Sequence, residues 1–290
     1  MRIAVYGNHY QEDRVDELVG LFDILSRHNV WIEIEESFYN YLCDLLPSPP
    51  AVNDIIRGND FNAALAISIG GDGTFLRTAQ WVGEKNIPIL GINTGHLGYL
   101  TAFTSAQAPH YIPEILAGSY RIEPRTMLMV TSDEVDIPIW NFALNEVAIL
   151  KQDTSSMIDM DTRVNDVMLA DYLADGLIIS TPTGSTGYNL SIGGPVVAPS
   201  SPVWVISPIA AHSLSMRPFV VNDQCEISVL TSSRSDSYRL SLDGRSISLP
   251  VNTTVKISKA PFVTRIVLTE HHTFTDTLRN KLFWGMDKRQ

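Results

Sequence analysis

The run Ile67-Ser-Ile-Gly-Gly-Asp-Gly-Thr-Phe-Leu-Arg77 places a single carboxylate, Asp72, inside a glycine turn. Ala63 to Ile69 reads as a buried strand, and Phe75, Leu76, Ala79 and Val82 recur beyond the turn at helical spacing. Glycines let the backbone take positive φ and approach a ligand closely, and the free N–H groups of a helix start can face an anion. An acid among anion-seeking amides fits a general base or the partner of a metal. The plainer alternative is a tight strand-to-helix turn with Asp72 as N-cap.

A second stretch, Asp175-Gly-Leu-Ile-Ile-Ser-Thr-Pro-Thr-Gly-Ser-Thr-Gly-Tyr188, continues to Gly193-Gly194-Pro195. Leu177 to Ile179 reads as a buried strand opening into a loop with Ser180, Thr181, Thr183, Ser185 and Thr186, punctuated by Gly184 and Gly187. Hydroxyls and loop amides at this density make a cradle for a sugar or phosphate, and Tyr188 adds a flat face for a base or ribose. A solvent loop rich in turn formers is the alternative. In a third place, Asn145-Glu146 interrupts an apolar strand read from Ile139 to Leu150. Buried polar groups cost about 1–3 kcal/mol each when unpaired, so the fold satisfies this pair or it faces a ligand. An amide can read a base edge, and a carboxylate suits ribose hydroxyls. Asp243-Gly244-Arg245 forms a hairpin turn or sets Arg245 near a ligand phosphate, the hairpin being favoured. His271-His272 and His212 have no partners at metal-ligand spacing, and His96 reads as a support for its own loop. Neither a GxxxxGK[ST] nor a GxGxxG pattern is present.

The elements that must position these residues follow from hydrophobic periodicity. Strands at Ile3 to Tyr6, Val30 to Ile34, Ala63 to Ile69 and Ile87 to Ile92 alternate with helical stripes at Arg14 to His28, Tyr39 to Leu46 and Pro113 to Ser119. That alternation predicts an open, Rossmann-like parallel α/β domain over residues 1–120, with ligands outside the carboxyl ends of the strands. Gly70 to Gly73 and Asn93 to Gly98 both fall there. From residue 121 to 268 the pattern becomes short Val-, Ile-, Thr- and Ser-rich strands, which predicts an all-β, sandwich-like domain. Asp276 to Phe283 turns helical again, with Leu278 and Leu282 as an i,i+4 pair. The expectation is that 269–290 returns to the α/β domain.

The 290 residues are 44% hydrophobic and 18% charged, values of a globular protein. A net charge of −11 without a basic cluster argues against nucleic acid as a partner. Cys43 and Cys225 stand far apart, which argues against a disulfide framework or thiolate metal site. No signal peptide is evident at the N-terminus, and no apolar run approaches the ~18–20 residues of a membrane helix. A soluble, cytoplasmic protein that does not engage membranes is expected.

Gly70-Gly-Asp-Gly-Thr74, Asn93-Thr-Gly-His-Leu-Gly-Tyr-Leu100, Asn145-Glu146 and the Asp175-to-Tyr188 stretch stand in the order of the NAD kinase family. Leu282-Phe-Trp-Gly285 is similar to bacterial members. The resemblance covers nearly the whole chain. Its first motif is shared with diacylglycerol and sphingosine kinases and phosphofructokinases, whereas the long second motif is specific. The resemblance implies transfer of the γ-phosphoryl of ATP to the 2′-hydroxyl of the adenosine ribose of NAD, giving NADP. It implies Asp72 as general base or orienter and Gly73 and Arg77 on phosphate. Asn145 and Glu146 would hold the adenosine part and Asp175 the nicotinamide end. Thr183, Thr186, Gly187, Tyr188, Asn189, Leu190 and Ser191 would line the dinucleotide, and Ala210 would come from a neighbouring subunit of a homo-oligomer, a dimer or tetramer. A divalent cation, Mg²⁺, would accompany ATP.

Two positions depart from the family pattern. Gly187 stands where many relatives have Ala, and Leu173 stands two positions before Asp175, where a basic residue is frequent. The second departure removes a charge contact that bears on phosphate recognition and on NAD versus NADH. Two rivals are separable on sequence. A lipid kinase of the diacylglycerol type leaves the Asp175-to-Tyr188 motif unexplained, and an acidic chain suits anionic membranes poorly. A dinucleotide sensor without turnover predicts a replaced acid in the glycine turn, yet Asp72 is present.

Overall fold

Ile3, Ala4 and Val5 are wholly buried, and so is every residue of Leu65–Ile69 and Ile89–Asn93. Near-continuous apolar runs of this kind belong to parallel strands covered on both faces. The computed structural model describes residues 1–95, 98–152 and 156–285, so the expectation for His96 lies outside the described residues. The chain divides into two compact units, one of residues 1–124 with 264–290 and one of residues 125–263.

In the first unit, β1 (Arg2–Gly7), α1 (Val15–Arg27), β2 (Trp31–Glu35), α2 (Glu36–Leu45), β3 (Asp54–Ile56), β4 (Leu65–Ile69), α3 (Asp72–Val82), β5 (Ile89–Asn93), β6 (Phe103–Thr104) and α4 (Ala108–Leu116) follow in order. Helix α1 turns Leu18, Leu21, Phe22 and Leu25 inward. These fall at i, i+3, i+4 and i+7, and each such side chain contributes roughly 1.5–3 kcal/mol on burial. The strands are parallel in the order β3-β2-β1-β4-β5. The order reverses between β1 and β4, so the ligand crevice of such a sheet falls at the ends of those two strands. There the Asn8 N–H donates to the Ile69 carbonyl at 3.2 Å. On its other side β5 pairs β6 and, through Ile89 and Leu90, the end of the strand Thr254–Leu268.

The expected helix from Pro113 to Ser119 is corrected to α4, which begins at Ala108 and carries Pro113 within it. The overlooked signal is a capping box, Thr104 with Gln107, whose side chain accepts the Thr104 N–H at 3.1 Å.

The second unit holds most of β7 (Arg121–Thr131), β8 (Phe142–Ala143), β9 (Glu146–Lys151), β10 (Ile158–Val164), β11 (Val167–Ala174), β12 (Gly176–Ser180), α5 (Tyr188–Ser191), β13 (Val203–Ile209), β14 (Phe219–Asn222), β15 (Ile227–Ser232), β16 (Ser237–Leu242), β17 (Arg245–Pro250) and the first part of β18 (Thr254–Leu268). One antiparallel sheet runs β14-β13-β12-β9-β16-β17. Strands β11, β10, β15 and β18 make another antiparallel layer. Val147, Ile179, Trp204 and Leu240 of the first layer share one apolar core with Met160, Val229 and Ile257 of the second, which is the sandwich arrangement. The single strand expected from Ile139 to Leu150 is corrected to β8 and β9, with Leu144 and Asn145 between them. After β18 comes α6 (Phe274–Leu282), within the first unit.

Candidate active site

Gly71 caps α3 with extended backbone, so Asp72 is the first helical residue and its side chain caps nothing on its own helix. Its carboxylate is held from a different segment. The Tyr99 N–H donates to Oδ2 at 2.7 Å and the Leu100 N–H to Oδ1 at 3.0 Å. The Asx-type loop after β5 is itself fixed. Asn93 Oδ1 accepts the Gly95 N–H at 2.6 Å, and Thr101 Oγ1 accepts the Gly98 N–H at 3.1 Å. Gly98 is required by close approach, since a Cβ there would overlap the Asp72 carboxylate. The acid is therefore a fixed acceptor at the positive end of a helix, where the dipole favours negative charge.

Gly73 and Arg77 lie beside it on α3, both exposed. Arg77 makes no ion pair with a described residue and lines a cavity of about 210 Å³ with Tyr6, Asn8, His9 and Ser37 at the end of β1. Burial raises the Tyr6 phenol, while the Arg77 charge opposes that shift. A cation beside amides at the switch point of a parallel sheet is arranged for an anion.

In the second unit the Asn145-Glu146 pair is built around Asp243, the first residue of the Asp243-Gly244-Arg245 turn. Asp243, at φ 48, and Gly244, at φ 82, join β16 to β17. The Asp243 carboxylate accepts the N–H groups of Leu144, Asn145 and Glu146 at 2.7, 2.8 and 3.1 Å. Thr181 closes the other side. Its Oγ1 donates to the Leu144 carbonyl at 2.6 Å, and its N–H donates to the Asn145 carbonyl at 2.9 Å. Gly184 must be glycine, because a Cβ would overlap the backbone of Asn145. Fixed in this way, Asn145 Oδ1 and Glu146 Oε2 are buried without hydrogen-bond partners. In native proteins such groups are satisfied by ordered water or a bound ligand. Burial, and secondarily the charge of Asp243, push the Glu146 carboxyl up to about 8, against a hydrogen bond from the Tyr188 N–H. At neutral pH Glu146 is thus largely protonated and can donate as well as accept.

The remaining sequence candidates divide. Gly187 lies against the pair, with its Cβ position 3.2 Å from Glu146 Oε2. Tyr188 is 40% exposed, and Thr186, Leu190 and Ser191 reach solvent around it. Thr183 is buried and accepts from Arg125 at 3.2 Å. Asn189 is wholly buried, and its amide is spent on the Pro195 carbonyl at 3.1 Å and the Ser207 hydroxyl at 2.7 Å, so it braces the cradle from behind. Asp175 pairs Lys151 Nζ at 2.6 Å, so a basic side chain from β9 stands beside it although Leu173 is apolar. Ala210 is exposed with φ 47, an uncommon conformation for a residue with a Cβ. The hairpin reading is the one seen at Arg245. Its guanidinium donates to the carbonyls of Trp140 and Phe142, each at 2.6 Å, and lies 5.0 Å over the Trp140 ring.

The first unit thus holds an oriented carboxylate at a helix start and the second a hydroxyl-rich cradle around an amide–carboxyl pair, and by its relatives the chain is a phosphotransferase with an alcohol group as acceptor. The ATP-NAD kinase N-terminal domain family matches residues 34–120, and the ATP-NAD kinase C-terminal domain family matches residues 144–269. The NAD kinase of Bacteroides fragilis (strain YCH46) is 42% identical over 289 residues, covering 100% of both chains. That of Porphyromonas gingivalis (strain W83) is 42% identical over 98% of each. Among solved structures, an NAD kinase from Archaeoglobus fulgidus in complex with ATP is 26% identical with a TM-score of 0.75, covering 98% of this chain and 99% of that one. Yeast NADH kinase complexed with NADH shares the fold, at 22% identity and a TM-score of 0.87, over 100% of this chain and 89% of that one. The chain belongs to the NAD kinase family, whose reaction is the phosphorylation of NAD to NADP.

Proposed function

We propose that this chain transfers the γ-phosphoryl of ATP to the 2′-hydroxyl of the adenosine ribose of NAD, with Asp72 as orienter and proton acceptor. The observation that carries this reading is the grip of the Tyr99 and Leu100 N–H groups on the Asp72 carboxylate. Those bonds leave each oxygen a further lone pair for a substrate hydroxyl. A carboxylate is a weak base for an alcohol, so its main work is to align the 2′-oxygen and take the proton late in a loose transition state. The new bond joins the 2′-oxygen to the γ-phosphorus, the bond from that phosphorus to the bridging oxygen breaks, ADP leaves, and the hydroxyl proton passes to Asp72.

In this reading the Gly73 N–H and Arg77 bind phosphate. Asn145 and the protonated Glu146 hold the adenosine, through base edge and ribose hydroxyl, and Asp175 contacts the nicotinamide end. Thr183, Thr186, Gly187, Tyr188, Leu190 and Ser191 line the dinucleotide, with Asn189 and Arg245 bracing the backbone that presents it. Ala210 contacts the substrate of a neighbouring subunit in a homo-oligomer, a dimer or tetramer. Among the described residues no group of three or more His, Cys, Asp or Glu side chains is arranged to hold a metal. The divalent ion, Mg²⁺, accompanies ATP, carried on the triphosphate oxygens. The reaction is assigned to the cytoplasm.

The test is turnover with ATP, Mg²⁺ and NAD, read by an NADP-specific dehydrogenase, with Asp72→Asn alongside. NADP formation that collapses in the variant is expected. Equal rates in the two proteins would remove Asp72 from the mechanism, and a folded wild type that makes no NADP would remove the reaction.

A further inference from the structure

Helix α6 brings a lysine to the tyrosine whose N–H holds Asp72. Thr273 caps α6 by accepting the Asp276 N–H at 3.1 Å, and Thr277 and Leu278 are buried beneath it. Lys281, one turn after Leu278, turns inward with them. Its Nζ is buried, has no hydrogen-bond partner and lies 4.7 Å from the centre of the Tyr99 ring. Tyr99 is also the residue whose N–H holds Asp72. One residue thus positions both charges, the carboxylate by its amide and the ammonium by its ring.

This is an unusual place for a lysine. A four-carbon stem normally lets the ammonium reach water, and three unmatched donors in a buried site carry a penalty of several kcal/mol. The face of Tyr99 returns only about 0.5–2 kcal/mol of that. The position is at the carboxyl end of α6, where the helix dipole favours a cation. An anion is the missing partner, and Asp72 shares the same surroundings without bonding to Nζ.

The geometry points to Lys281 as a catalytic cation of the reaction proposed above, its ammonium contacting an oxygen of the phosphoryl group while that group passes to the hydroxyl held by Asp72. A fixed positive charge at that point stabilises the negative charge that spreads over the equatorial oxygens during transfer. The inference rests on the Asp72 reading. Burial lowers the Lys281 pKa to about 8, with the Asp72 charge opposing that shift. The titratable groups facing the ammonium are Tyr99, from the segment after β5, and Asp72, from α3.

The experiment compares wild type, Asp72→Asn, Lys281→Met and Lys281→Arg by steady-state kinetics from pH 6 to 10, each checked by thermal unfolding. Methionine keeps the packing over Tyr99 and removes the charge. Lys281→Met is expected to lose kcat about a hundredfold, with KM for NAD changed by less than about threefold. Wild-type kcat is expected to fall as pH rises through about 8, and this limb is expected to move well upward in Lys281→Arg, because a guanidinium stays charged. A folded Lys281→Met whose kcat stays within about threefold of wild type overturns the proposal, and if Asp72→Asn has collapsed meanwhile, the Asp72 reading stands without it. Should Lys281→Met fail to fold, an alkaline limb unchanged in Lys281→Arg overturns it instead. A wild type that makes no NADP overturns the underlying reading and this one with it.

Discussion

The Asp243 carboxylate accepts the N–H of Asn145 at 2.8 Å, a bond that joins a hairpin turn to the segment between β8 and β9. With Leu144 and Glu146, three amides converge on one acid. Burial raises the Asp243 carboxyl, and the three N–H groups, helped by Arg245, oppose that shift. Replacing Asp243 with Asn sets an NH₂ against an N–H donor. The expected loss is about 2–3 kcal/mol of stability, read from urea unfolding, together with NAD affinity weakened at least tenfold through misplacement of Asn145.

At Gly98 the chain passes so close to Asp72 that a methyl group cannot be inserted without moving the carboxylate. Gly98→Ala is expected to lower kcat by about a hundredfold, the scale of an ångström-level misplacement, while KM for NAD stays nearly constant. Rapid-quench measurement of the chemical step separates this from slow product release.

Glu146 makes stability depend on pH. The unfolded side chain titrates near ~4.3 and the folded one at about 8. Between those values the unfolded chain binds fewer protons than the folded one, so stability falls as pH rises through that window. Glu146→Gln removes this share, so its unfolding free energy is expected to be flatter between pH 5.5 and 8 by about 1 kcal/mol or more. Paired urea titrations at the two pH values test it, and a wild-type slope retained in the variant contradicts the assignment.

Arg77 is exposed and without an ion pair among the described residues, so its removal leaves the fold intact. Arg77→Ala is expected to raise KM for ATP by roughly 10- to 100-fold, the loss of a charge-assisted contact of about 1.5–3 kcal/mol, with Tm unchanged. KM for NAD measured in the same experiment serves as the control.

The elements that could be read from sequence were those whose apolar spacing is self-contained. Strand β4, the turn at Gly70 to Gly73 and helix α3 follow from residues within ten positions of one another. The break between β8 and β9 did not, because it depends on Asp243, about a hundred residues downstream, pulling Leu144 and Asn145 out of line. Asn189 likewise looks like a ligand contact in a polar loop, and only the tertiary position of Ser207 and Pro195 shows where its amide is spent. Strand β11, Val-Met-Leu-Ala-Asp-Tyr-Leu-Ala, has no apolar–polar alternation, so periodicity does not single it out. Lys281 escaped for a related reason, since a lysine near a chain end gives no sign of the ring it will lie against.

The acid of this enzyme is oriented by main-chain donors, and that changes what genetic variation can reach. Side-chain replacement at Tyr99 or Leu100 leaves both N–H groups in place. Variation at Leu100 can therefore change the side chain while its hold on Asp72 persists. Scanning with alanine would leave both donors in place, and at Tyr99 it would register only the loss of the ring beneath Lys281. Proline is the substitution that deletes a donor, so a proline scan across the segment would register the orienting function that alanine overlooks.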